Sequence, residues 1–300
     1  MAHLQNHLSL AIISLILLTV YYGAYAEDSN TGEGNQWIET KAPWALGIAF
    51  SDGTPLEGGH KLDWSKVSNI TAVIKLPNIT WVDNTIYLIL TVMNSNEEVF
   101  QVAAGLNPGQ QMWLVYAFYI RNIAEYPQTY VWVANRTQPN MFPNDRISLA
   151  LYVVGDKGWG YSVSNIRTGE KTNGSFPASS VCLKSGEQEV FALESYTSNP
   201  NVFKEMGEVV LEGVYIDGFK VEGEGYVLGG WDPFHKPLFL VGGGSPPSFI
   251  AVIRDKNQYK WVYSPVESWE TSATLIYVSL AYVSTIVLAV VLAAFLIKRR

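Results

Sequence analysis

The chain has 300 residues, 48% hydrophobic and 13% aromatic, with 27 acidic residues against 20 basic ones and a formal net charge of −7. That balance provides no basic patch for nucleic acid, and a single cysteine, Cys182, excludes an intrachain disulfide. The length suffices for one large domain once both ends are set aside.

In chain order, Leu8 to Val20 reads LSLAIISLILLTV and is followed by YYGAYA, whose Ala24-Tyr25-Ala26 ending is a small-x-small cleavage pattern. Residues 1–26 are therefore expected to be a signal peptide, with a retained N-terminal anchor as the alternative, because His3 and His7 stand where Lys or Arg is usual. Residues 27–42 form a polar lead containing DSNTGEGNQ. Residues 43–264 are expected to be one extracellular β domain, and 265–272 a short stalk. Ala273 to Ile297 is then an uncharged apolar run, longer than the ~20 residues that cross a hydrocarbon core. Lys298, Arg299 and Arg300 follow it and mark a cytoplasmic tail, 298–300. The expectation is a single-pass type I protein of the cell membrane with its domain outside. Without the tail, 17 basic residues face 27 acidic ones. Four sequons, at Asn69, Asn78, Asn135 and Asn173, fit a glycosylated exterior.

Within the domain, short β-rich runs alternate with Gly, Pro, Asn and Asp: NITAVIKL, TIYLILTVM, EVFQVAAGL, QMWLVYAFYI, QTYVWVAN, RISLALYVVG, GYSVSNI, EQEVFALESY, EVVLEGVYI, PLFLVGG and SFIAVIRD. Many show a period of two and are rich in aromatic and β-branched residues, as half-buried strands are. The pattern predicts an all-β, two-sheet antiparallel sandwich of jelly-roll type, with no soluble helix. Gly229 to Phe249, rich in Gly and Pro, reads as long loops flanking one strand.

The sequence also restricts the chemistry. Beyond the signal peptide it keeps only His60 and His235, and neither sits in a nucleophile motif; no Gly-x-Ser-x-Gly elbow is present. No His-Glu-x-x-His, cysteine pair or acidic calcium loop appears, so neither a metal nor a cofactor is expected. Two polar residues lie inside apolar alternating strands: Gln101 in EVFQVAAGL and Glu194 in EQEVFALESY. A buried amide needs partners, and a carboxyl desolvated among apolar neighbours has a raised pKa suited to proton exchange. For Glu194 a solvent-facing position is the plainer alternative.

The order of these segments resembles the eqolisin, or glutamic peptidase, family over roughly Pro43 to Asp217. APWALGIAF is similar to the family's Asn-Trp-x-Gly segment, and ITAVIKLPNITW to its Trp-Thr-Val-Pro strand. TIYLILTVMNSNEEVFQVAAGL follows its strand, loop and Gln-containing strand, and QMWLVYAFYI its Trp-Tyr-Glu-x-Tyr strand. GYSVSNIRTGEKTNGSF resembles the strand and turn ending in Thr-Gly-Lys, and EVFALESYTSNPNVFKEMGEVVLEGVYI the Glu-Trp-Ile-Val-Glu strand with its successor. The resemblance places Gln101 on the catalytic Gln and Glu194 on the second Glu of that last motif. Three departures stand out: Ala117 replaces a supporting carboxylate, Val190 stands at the first Glu, and LILTVMN lacks the aromatic that precedes the family's Gly-x-Asp loop. The resemblance implies a concanavalin-like fold and acid endopeptidase activity on polypeptides. Gln101 and Glu194 would be the catalytic dyad, with Trp44 and Tyr116 lining the substrate groove. A non-catalytic surface module that binds carbohydrate or protein is the rival expectation.

Overall fold

Alternation along the chain sorts side chains onto two sides of every strand, and two stacked sheets bury one side of each. The computed structural model describes residues 44–125, 129–156, 158–229, 247–255 and 258–264. The predicted signal peptide, lead, stalk, membrane segment and tail lie outside the described residues, as does the PLFLVGG strand. Among the described residues no helix is long and apolar enough to cross a membrane.

The described strands are β1 (Trp44–Ser51), β2 (Asn69–Lys75), β3 (Ile86–Met93), β4 (Val99–Leu106) and β5 (Trp113–Ile120). Next come β6 (Tyr130–Met141), β7 (Arg146–Val153), β8 (Gly158–Asn165), β9 (Lys171–Pro177) and β10 (Glu187–Ser195). The helix α1 (Pro200–Met206) precedes β11 (Glu208–Ile216), β12 (Phe219–Lys220), β13 (Tyr226–Gly229), β14 (Ile250–Asp255) and β15 (Gln258–Tyr263). A front sheet is ordered β13-β1-β10-β3-β4-β5-β6, and a back sheet β14-β15-β11-β2-β7-β8-β9. All the strand pairs are antiparallel. The two-sheet β-sandwich read from the sequence is the architecture found.

The core lies between the sheets. Leu88, Leu90, Phe100, Val102 and Val115 from the front meet Ile70, Ala72, Ile147, Leu149 and Leu211 from the back. Trp261 of β15 spans the layers, its indole N–H donating to the Leu46 carbonyl at 2.8 Å. One helix appears where none was expected. Asn199 caps it by accepting from the Asn201 N–H at 3.0 Å, Pro200 opens it, and Gly207 (φ 71°) ends it. Val202, Phe203 and Met206 on its inner side are buried, which is what holds so short a helix.

Buried carboxylates away from the front face are fully partnered. Glu98, before β4, accepts from Ser179 N at 2.8 Å, Ser179 Oγ at 2.6 Å, Asn94 Nδ2 at 2.5 Å and the Tyr119 hydroxyl. It ties the β3–β4 turn to the segment that leads into β10. Asp145 accepts from Arg167 Nε at 2.7 Å, Asn165 Nδ2 at 2.7 Å and Phe142 N at 2.9 Å, pinning the turn before β7.

Candidate functional site

The outward face of the front sheet carries the residues left over from the core. In β3 the core takes Ile86, Leu88, Leu90 and Val92, leaving Tyr87, Ile89, Thr91 and Met93 outside. In β4 it takes Phe100, Val102, Ala104 and Leu106, leaving Gln101, Ala103 and Gly105 outside. Gln101 is therefore a front-face residue, only 3% exposed. Thr91 lies directly across from it on β3, and Phe118 directly across on β5.

The β10 strand does not alternate regularly. Trp44 to Ile48 pair in step with Ser195 to Phe191, but Ala49 pairs with Glu189, so Val190 is an extra residue, a β-bulge. Val190 and Phe191 are both in the core, and Glu189 turns to the front face. Its carboxyl lies over Gly47 of β1, where a β-carbon would collide with Glu189 Oε1. Such an approach needs a residue without a side chain. The register beyond the Phe191–Leu90 pair brings this bulge alongside Thr91. Glu189, Thr91 and Gln101 thus follow one another across three neighbouring strands, a span of roughly 10 Å between the outer backbones.

All three polar groups are buried and make no side-chain hydrogen bond among the described residues. Neither carboxyl oxygen of Glu189 nor Thr91 Oγ1 has a hydrogen-bond partner. Gln101, too, has no side-chain hydrogen bond among the described residues. Burial pushes the Glu189 carboxyl well above the usual carboxylate range, and the negative charge of Glu194 pushes it further the same way. Burial also pushes Glu194 up to about 7, against a hydrogen bond from Tyr196 that favours the ionised form. The front face therefore holds two carboxyls that retain their protons far above ordinary acid, beside an amide available as a donor.

The other residues singled out in the sequence fall as follows. Glu194 is on the outward side of the front sheet, as the plainer alternative had it, yet it is only 5% exposed. It stands opposite Tyr87, four residues along β3 from Thr91, which is roughly 13 Å of strand. The structure thus sets Glu189, not Glu194, alongside Thr91 and Gln101. An ungapped count back from Glu194 lands on Val190, and the bulge removes Val190 from the face and substitutes Glu189. Its signal was the broken alternation of Val190-Phe191 in EQEVFALES.

Trp44 is corrected outright as a groove residue. It is fully buried between the sheets, donates to the Thr197 carbonyl at 2.7 Å and packs on Phe203 at 5.5 Å. The signal was present in β1, where Trp44, Leu46, Ile48 and Phe50 share the core side and Ala45, Gly47 and Ala49 the other. Tyr116 is on the front face, 1% exposed, its hydroxyl accepting from Asn107 Nδ2. It belongs to an aromatic cluster with Tyr87, edge-on at 5.1 Å, Phe118, stacked at 6.1 Å, and Trp132, edge-on at 5.6 Å. Gly105 makes room for it, since a β-carbon there would meet the Tyr116 and Tyr87 rings. All four sequon asparagines are exposed: Asn69 opens β2, Asn78 follows it, and Asn135 and Asn173 lie on the edge strands β6 and β9.

No protein-family model matches the chain, and no curated protein matches it. Among solved structures it is similar to scytalido-glutamic peptidase with a peptide-based transition state analog, at 12% identity and a TM-score of 0.46, covering 74% of this chain and 98% of that one. SCP-B, a member of the eqolisin family of peptidases in complex with the tripeptide Ala-Ile-His, is similar at 12% identity and a TM-score of 0.43, with the same 74% and 98% coverage. The CBM2 module of the evolved Dit of Lactobacillus casei BL23 phage J-1 is similar at 8% identity and a TM-score of 0.32, covering 57% of this chain and 83% of that one. Likeness at this level assigns no residue and no reaction to the present chain.

Proposed function

We propose that the protein is a membrane-anchored, extracellular endopeptidase of glutamic type that cleaves polypeptides. The observation that carries this reading is the row of Glu189, Thr91 and Gln101 on one sheet face, with the carboxyl buried and unpartnered. The ordered resemblance of the strand segments to glutamic peptidases supports it, and so does the Gln at the matching place. Glu189 takes the role that the sequence alone gave to Glu194. As carboxylate it accepts a proton from water while the water oxygen bonds to the peptide carbonyl carbon, then returns that proton to the departing amine nitrogen. The Gln101 NH2 donates to the oxyanion formed in between; one oxyanion-hole donor typically contributes ~2.7–4 kcal/mol. An amide suits the task because it does not titrate. The raised Glu189 carboxyl sets the acid limb of activity above the ~4.3 of an ordinary glutamate. In this reading the sequon glycans clothe the exterior, residues 273–297 anchor the chain, and the front-face aromatics seat the substrate.

The test is proteolysis of a denatured protein by the full-length chain in detergent, from pH 2 to pH 8. Glu189→Gln should lower kcat/KM by about 100-fold or more, and Gln101→Ala by ~100- to 1,000-fold, with the fold intact by circular dichroism. Glu194→Gln should retain turnover. Wild-type cleavage that survives Glu189→Gln would remove the proposed base.

The rival reading, a non-catalytic surface module, is favoured by one observation. Trp132 of β6 is 49% exposed on this face, edge-on to Phe118 at 5.0 Å. A folded chain that cleaves nothing at any pH, yet binds glycans or peptides through Trp132, would establish it.

A further inference from the structure

We propose that Thr91 is the third polar member of the centre, its hydroxyl holding the attacking water between Glu189 and Gln101. This inference rests on the peptidase reading above. Every other outward residue of β3 is apolar or aromatic: Tyr87, Ile89 and Met93. Thr91 brings the one aliphatic hydroxyl on the outward side of β3. It is 1% exposed, and Oγ1 has no hydrogen-bond partner. A buried hydroxyl without a partner destabilises the fold, whereas valine has the same branched shape and incurs no such penalty. Packing alone therefore selects Val here, as it does at Val92 and Val99 nearby.

The position gives the hydroxyl a use. Thr91 pairs directly with Gln101, where facing β-carbons lie ~4.5–5.5 Å apart, and the bulge brings Glu189 to its other side. A hydroxyl offers one donor and two acceptor lone pairs. It can accept one O–H of a water whose second O–H points to the Glu189 carboxylate, leaving a lone pair on the water oxygen for the peptide carbonyl carbon. In the reaction the water's proton passes to Glu189 and then to the amine nitrogen as the C–N bond breaks. Thr91 keeps its own proton throughout. This hydroxyl stands in the segment LILTVMN, where the sequence departs from the peptidase pattern by lacking an aromatic.

The experiment compares full-length wild type, Thr91→Val and Thr91→Ser. Expected for Thr91→Val is a fall in kcat of tenfold or more at every pH, with KM within twofold and a melting temperature equal to or above wild type. Thr91→Ser should recover at least half of the lost activity. A purely structural hydroxyl gives the opposite split: lower melting temperature with unchanged kcat. Thr91→Val that cleaves like wild type, or that fails to fold, overturns the role of Thr91 while the peptidase reading stands. A folded wild type without cleavage at any pH overturns both.

Discussion

At the scale of single residues, Gly47 and Glu189 are a matched pair. The carboxyl occupies the space that any side chain on Gly47 would fill. Gly47→Ala is expected to push the carboxyl off β1 and cost about 1–3 kcal/mol by overpacking. Thermal melting and peptide cleavage check this, with activity falling by tenfold or more; a variant as active and as stable as wild type would contradict the placement. Gln101 was legible in the sequence because a lone amide in an apolar run stands out. Glu189 was not, because a fixed-spacing motif assumes that one residue advances the strand by one position, and a bulge breaks that count. Trp44 matches a family segment, yet the period-two pattern of β1 puts it in the core. Thr91 carries no sequence signal of its own, since a threonine in a strand is ordinary until its partners are known.

At the scale of elements, the β10 bulge puts Glu189 rather than Val190 on the front face. Glu189 pairs with Ala49 and Phe191 with Ile48, so removing Val190 would leave both partners unchanged and straighten the strand. Deletion of Val190 is therefore expected to keep Glu189 on the front face and preserve activity, at the cost of one buried valine, about 1.5–3 kcal/mol. Deletion of Ala192, in the regular part of the strand, shifts the register by one and turns Glu189 inward. That variant should lose the cooperative melting transition. If both deletions behave alike in circular dichroism and cleavage, the bulge is not where the register places it. Most strands are legible from alternation, whereas β9 reads as part of a strand-and-turn segment because TGEKTNGSF is polar and turn-rich. Its position as an edge strand of the back sheet explains that composition, for an edge strand buries little. The α1 helix had its signals, Asn199 with Pro200 and Gly207, but seven residues show too few turns for periodicity to register.

For the whole molecule, the buried carboxyls set opposing slopes of stability with pH. Glu194 titrates at about 7 in the folded chain against 4.5 when unperturbed. Below 4.5 both states carry the proton, and stability then falls as pH climbs, by on the order of 3 kcal/mol at pH 8; Glu189 acts in the same direction. Glu98 and Asp145 run the other way. Burial works against their ionised forms, but hydrogen bonds from Ser179, Tyr119 and Asn94 to the first, and from Arg167, Phe142 N and Asn165 to the second, hold both below their usual values. Their contribution is present above those values and lost as pH falls through the lowered ones. The melting temperature should therefore peak in mild acid, at about pH 4–5, and decline toward pH 8. Glu194→Gln should raise it at pH 8 by several degrees; an unchanged alkaline slope in scanning calorimetry would refute the assignment. The sandwich itself was legible from composition and alternation, because two-sheet burial imposes that pattern on every strand. Its path has a further consequence. β15 runs from Tyr259, edge-on to Phe50 at 6.5 Å, to Tyr263, which leads through Phe249 and Phe203 to Trp44. The described chain thus leaves the sandwich at the Ser195 end of β10, and Glu189 stands six residues up that strand, roughly 20 Å away. If the chain is anchored beyond this exit as proposed, Glu189 lies toward the opposite end of β10 from the tether. On that reading the proposed site would face material from the surroundings rather than the tether.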